Sequence, residues 1–144
     1  MFLSADKIHS GKNWLPESTT IEITDDGTII AIHNKLEFAN TQHYEGIICP
    51  GFVNTHCHIE LSHLKGAVAQ HTGLTSFLTN VMRNRNNFSD EEKKTARENA
   101  VETLIENGVV AVGDIANTTD TISLREKDAL HWQTFVECIG FNPE

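Results

Sequence analysis

Two histidines one residue apart, His56 and His58, are the part of this 144-residue chain best suited to chemistry. Side chains at i and i+2 on a β-strand project to the same face. Two imidazoles held side by side can share a single ion, and imidazole is a common ligand of zinc. Spacing alone would sooner fit one core histidine and one surface histidine. The setting favours the metal reading. The pair closes an apolar run opened by Pro50-Gly51, at the C-terminal end of a strand, where parallel-sheet enzymes carry their sites.

The elements that must position the pair are legible around it. Phe2 to Ile8, Ile21 to Thr24 and Thr28 to Ile32 read as short strands, and Asp25-Asp26-Gly27 joins the last two into a hairpin. Residues 33–44 are polar and show no clear period. Ile47 to Val53 reads as a strand entering a buried sheet. Leu74, Phe77, Leu78, Val81 and Met82 recur at helical spacing. A second helix opens at a capping box, Ser89 to Glu92, turns Ala96, Ala100, Val101, Leu104 and Ile105 inward, and stops at Asn107-Gly108. Val109 to Ile115 is rich in β-branched residues, as suits a parallel strand covered on both faces. Residues 118–130 are weakly helical, and Phe135 to Phe141 reads as a further strand. From residue 47 the order is strand, helices, strand, helix, strand. That predicts an α/β fold with a parallel sheet and right-handed crossovers.

Composition narrows the partners. A net charge of -9 and the lack of a basic stripe argue against a nucleic-acid backbone or an anionic membrane as partner, because neither favours an acidic surface. No apolar stretch reaches the ~18 residues of a membrane span, and the N-terminus lacks the basic-then-apolar pattern of a signal peptide. Cys49, Cys57 and Cys138 are odd in number and lie in apolar runs, which predicts buried thiols in a reducing compartment. A cytoplasmic location is expected.

The run PGFVNTHCHIELSHLKG, residues 50–66, resembles the signature of the amidohydrolase superfamily, in particular its branch of aminofutalosine deaminases, S-adenosylhomocysteine deaminases and chlorotriazine hydrolases. NGVVAVGDIAN is similar to that branch's second barrel strand and FVECIGFNPE to its third. The resemblance implies the first three strands of a TIM (β/α)8 barrel over residues 49–144, preceded over residues 1–48 by part of a small flanking β-sandwich. It implies that His56 and His58 are metal ligands. In such enzymes one divalent ion, zinc most often and iron in some, activates a water that attacks an electron-poor carbon and releases ammonia or another leaving group. The substrate implied is a small aminated heterocycle or nucleoside-like molecule. Cyclic-amide opening and halide removal are the alternatives within the superfamily.

Around the ligands the resemblance places Glu60 on the loop facing substrate; a solvated loop acid or a partner for Lys65 is the other reading. Asp114 either orients a metal ligand from the end of its strand or caps the helix that follows. Strand alternation turns Cys57 away from the histidines, into packing. His63 is expected at the surface or behind the ligands, and Glu137 has no assigned role. Eight strand–helix units make a full barrel, and a catalytic zinc site usually takes three protein ligands and a water. Three such strands are legible here, so the general acid/base residues and remaining ligands are expected elsewhere. The chain is expected to be an N-terminal fragment, inactive by itself and prone to self-association unless another chain completes it. A non-catalytic metal-binding or assembly module, with His63 or His71 as a third ligand, is the competing class.

Overall fold

The computed structural model describes residues 1–35, 38–125 and 130–138. The chain divides into two compact units, Met1–Pro50 and Gly51–Glu144.

The first unit is a four-stranded sheet in the order β3-β2-β1-β4. Strand β1 (Phe2–Ile8) and the hairpin β2 (Thr20–Ile23) and β3 (Ile29–His33) lie where the alternation of apolar residues places them. The hairpin turn is closed by a bond from Gly27 N to the Thr24 carbonyl, with Gly27 at φ 86°, a conformation that favours glycine. Hydrogen bonds from Thr24 and then Thr28 hold the Asp26 carboxyl below its ordinary pKa. A fourth strand, β4 (Thr41–Ile48), pairs parallel to β1. It falls in the stretch without a clear period, because its residues are mostly polar and exposed. Ile47 and Ile48 therefore end β4 in this sheet and do not begin the next strand. A small core of Ala5, Ile8 and Ile21 holds the unit together.

The second unit carries a three-stranded parallel sheet, β5 (Phe52–Cys57), β6 (Val109–Ala116) and β7 (His131–Val136), in that order. After β5 come a 3-10 helix (Ile59–Leu64) and two α-helices, α1 (Leu74–Asn84) and α2 (Asp90–Glu106). A short α3 (Ile122–Arg125) precedes β7. This is a mixed α/β arrangement with helical crossovers, as the element order predicts. The core joins Ile59, Val101, Val112, Leu124 and Leu130.

The capping box is present in full: Ser89 accepts from Glu92 N, and the Glu92 carboxylate accepts from Ser89 N. Asn107 caps the other end, followed by Gly108 at φ 74°.

Several expectations differ from what is seen. Of the inward face of α2, Val101 is buried and Leu104 half-buried, but Ile105 is exposed. In α1 no residue is buried; Leu74, Phe77, Leu78 and Met82 are all exposed, since no described element covers their face. Among the described residues strand β5 has one neighbour and is largely exposed, and β6 is covered mainly in its second half, with Val110 exposed. Strand β7 starts at His131, four residues before the expected Phe135, because Leu130 and Trp132 pack on the core. Residues 126–129 of the expected helix and 139–141 of the expected strand lie outside the described residues. Cys49 and Cys138 are exposed and only Cys57 is half-buried, so the apolar runs do not hide the thiols.

Candidate metal centre

The site is built where β5 ends. His56 lies in the strand, and His58 is the first residue beyond it, at φ -123° and ψ 78°, in the cap position of the 3-10 helix. The β5–β6 register slips between Asn54 and Cys57, so β5 is irregular at Thr55-His56. Such bulges bend a strand and re-aim a side chain beside an active site. The two imidazole rings end with centroids 5.4 Å apart and planes 59° apart. His58 Nδ1 is buried without a hydrogen-bond partner. An orphaned imidazole nitrogen next to a second imidazole is what a shared cation would satisfy, so the residues present fit the first two ligands of a metal.

Gly113 on β6 lies against this irregularity. A Cβ there would meet the Thr55 carbonyl oxygen at 2.5 Å, so β6 approaches β5 closely only because residue 113 is glycine.

Two carboxylates fix the main chain on either side of His58. Asp114, fully buried, accepts from Ile59 N through Oδ1 at 3.1 Å and from the Thr121 hydroxyl through Oδ2 at 3.0 Å. The Thr121 oxygen in turn accepts from Arg125 at 3.1 Å. Asp114 therefore holds the residue after His58; it neither bonds the imidazole nor caps the helix that follows β6. Glu60 is buried as well, and its Oε2 accepts from Asn117 N at 3.0 Å, Thr118 N at 2.9 Å and the Thr118 hydroxyl at 2.7 Å. Its other oxygen, Oε1, lies 3.9 Å from the Arg85 guanidinium. Glu60 is thus neither a solvated acid nor a partner of Lys65. With its side chain 2% exposed, the carboxylate is held by main-chain donors of the turn after β6, as a buried carboxylate requires.

The remaining candidates separate from the pair. His63 is buried, bonds the Arg85 carbonyl through Nε2 at 3.1 Å and meets the Phe88 ring edge-on at 5.1 Å. His71 sits exposed in the loop before α1. Among the described residues, no group of three or more His, Cys, Asp or Glu side chains comes within reach of one ion. Cys57 packs on the core, and its thiol is pushed up to about 11 by burial and then by the Asp114 charge, which disfavours a thiolate ligand. Glu137, just past β7, receives Asn117 Nδ2 on its carbonyl at 2.7 Å. A cleft of about 530 Å³ between the 3-10 helix and α2 is lined by His58, His63, Asn99 and Thr103 but not by His56. It therefore lies on the helix side and is not where both imidazoles converge.

Residues 47–141 match the Amidohydrolase family. The chain belongs to that family. It is 27% identical over 120 residues to the adenosine deaminase of Helicobacter pylori, covering 83% of this chain but 29% of that protein. Its fold is similar to the crystal structure of Helicobacter pylori aminofutalosine deaminase in complex with methylthio-coformycin, with a TM-score of 0.81 and 22% identity over 99% of this chain and 36% of the other. Molinate hydrolase is a more distant likeness, with a TM-score of 0.56 and 18% identity over 92% of this chain and 29% of the other. This amidohydrolase chain thus spans about three-tenths of the length of its curated relative. What sequence reasoning missed were Thr121, Asn117, Thr118 and Arg85, the partners of the two carboxylates. None lies in a spacing that announces a role.

Proposed function

We propose that this chain supplies the first metal ligands, His56 and His58, of a metal-dependent hydrolase that removes an amino group from an aminated heterocycle or nucleoside-like molecule. The observation that carries this reading is the convergence of the two rings, with His58 Nδ1 buried and unpartnered, at the C-terminal end of a parallel strand. The relation to an adenosine deaminase supports the deaminating reaction, and the likeness to a deaminase bound to methylthio-coformycin supports a small-molecule substrate. The three parallel strands are read as the opening strands of a barrel and the N-terminal sheet as part of its flanking domain. A divalent ion at the histidines, zinc in first place and iron in second, would supply Lewis acidity and a water activated for attack. The chain's own residues do the positioning: β5 presents the imidazoles, Gly113 allows β6 to approach them, and Asp114 and Glu60 fix the turn after His58.

Two histidines are one fewer than a catalytic zinc site usually takes. Residues 1–144 alone are therefore expected to bind zinc without releasing ammonia, with the remaining ligands contributed from elsewhere in the native product. The test pairs two measurements. Zinc titration of the purified chain, followed by the ring resonances of His56 and His58, is expected to saturate, and His56→Ala or His58→Ala to weaken binding at least about tenfold. Ammonia release from adenosine-like substrates by the native product isolated from its source cells is expected to be lost in the same variants. Zinc binding that ignores both substitutions overturns the metal reading. Hydrolysis without ammonia moves the reaction to cyclic-amide opening or halide removal.

A further inference from the structure

The two buried carboxylates that flank His58 are exchanged crosswise. Asp114, from the end of β6, accepts the main-chain N–H of Ile59, the residue after the ligand on the neighbouring strand. Glu60, two residues past the ligand, reaches back to accept the main-chain N–H groups of Asn117 and Thr118, immediately after β6. Each strand end thus holds the turn out of the other. The register brings both within reach: Cys57, the last residue of β5, stands opposite Asp114, and β6 runs only to Ala116 before its own turn begins. Neither carboxylate touches the imidazoles, and neither is exposed to a ligand. Their oxygens instead set the backbone from which His58 projects.

We propose that Glu60 and Asp114 are a reciprocal pair of positioning residues for the metal site, holding His58 in the orientation that lets it share an ion with His56. The inference rests on the metal reading above. It differs from a purely structural role in what it predicts for affinity. Charge-assisted bonds to main-chain N–H groups are short and directional, so they restrict the ligand's backbone more tightly than apolar packing would. A ligand held in place before the ion arrives needs less ordering on binding. Removing such outer supports typically weakens metal affinity about 10–100-fold.

The test is zinc affinity of the whole chain by competition with a chromophoric chelator, read together with the amide signals of Ile59, Asn117 and Thr118. Glu60→Ala is expected to weaken zinc binding about tenfold or more. Glu60→Gln keeps an acceptor oxygen and is expected to recover most of that loss. Removing both carboxylates is expected to cost less than the product of the single losses, because each single change already frees the turn. Should Glu60→Ala not fold, Thr118→Val removes one donor to the same oxygen and is expected to weaken binding about threefold, in line with one lost charge-assisted bond of an already shared acceptor. Folded variants that bind zinc within about twofold of the parent chain, while their amide signals shift, would overturn the pairing and leave the metal reading intact. A parent chain whose zinc binding is indifferent to His56→Ala and His58→Ala would overturn both.

Discussion

The two ends of the parallel sheet are built on different principles. At the C-terminal end of β5 and β6, Asp114 and Thr121 are fully buried, Glu60 is nearly so, and the turns out of the strands are bonded to carboxylates. At the N-terminal end, Phe52 and Val53 are each 59% exposed and Val110 is 48% exposed. Main-chain pairing is the feature common to both ends. A buried carboxylate is costly unless its oxygens are satisfied, so polar order of this kind persists only where the surrounding geometry is well determined. Apolar side chains left in water cost little order and demand little. The comparison teaches that the determined end of the sheet is the end that carries the histidines.

The largest expected effect comes from removing that polar order. Asp114→Ala leaves the Ile59 N–H and the Thr121 hydroxyl buried without their acceptor, and is expected to cost about 3 kcal/mol of stability. Val110→Ala, at the exposed end of the same strand, is expected to cost about 0.5 kcal/mol. Urea unfolding of the two variants measures both. Equal losses would mean that the two ends are equally determined, and the comparison would fall.

Glycine substitutions sharpen the contrast by one step. Gly113→Ala drives a methyl group onto the Thr55 carbonyl, which is main chain and cannot rotate away as a side chain would, so a loss of about 2 kcal/mol is expected. The strain lands one residue before His56, and zinc affinity is expected to fall with stability. Gly51→Ala meets the Val110 side chain, which is half in water and can move outward. A smaller loss of about 1 kcal/mol is expected, with zinc affinity unchanged. Thermal melting with and without zinc separates the two cases.

What was legible in the sequence follows the same divide. The histidine pair, the capping box of α2, the Asn107-Gly108 stop and strand β6 could be read because each depends on residues close in sequence. Strand β4 could not, because its residues are polar and its place is set by parallel pairing to β1, some 40 residues away. Helix α1 shows the opposite failure. Its apolar spacing gives the helix correctly, yet spacing says nothing of what covers the face, and the face is exposed. Glu60 was placed near the site by resemblance, but its partners lie 57 and 58 residues on and could not be read from its own neighbourhood. Thr121 and Arg85 carry no signal of their own. They matter only because a carboxylate from another element reaches them.

The smallest expected effect concerns the helix that backs the determined end. Helix α2 is tied to the turn after β6 near its middle, where Arg97 donates to Asp120 at 3.3 Å. Its first turn is closed by Glu92, whose carboxyl is held below the ordinary value of 4.5 by the Ser89 hydroxyl and then the Ser89 N–H. A group whose folded pKa is depressed stabilises the fold above its unfolded value, and that stabilisation is lost as pH falls through the folded one. The first turn of α2 should therefore loosen only below about pH 4.5, seen as faster exchange of the first-turn amides in acid relative to those at Val101. Glu92→Gln keeps an acceptor for Ser89 N–H but has no charge to lose, so its first-turn exchange should not acquire that acid limb. If acid instead loosens the turn equally in Glu92→Gln, the titrating group is not Glu92, and the closing role given to its carboxylate falls.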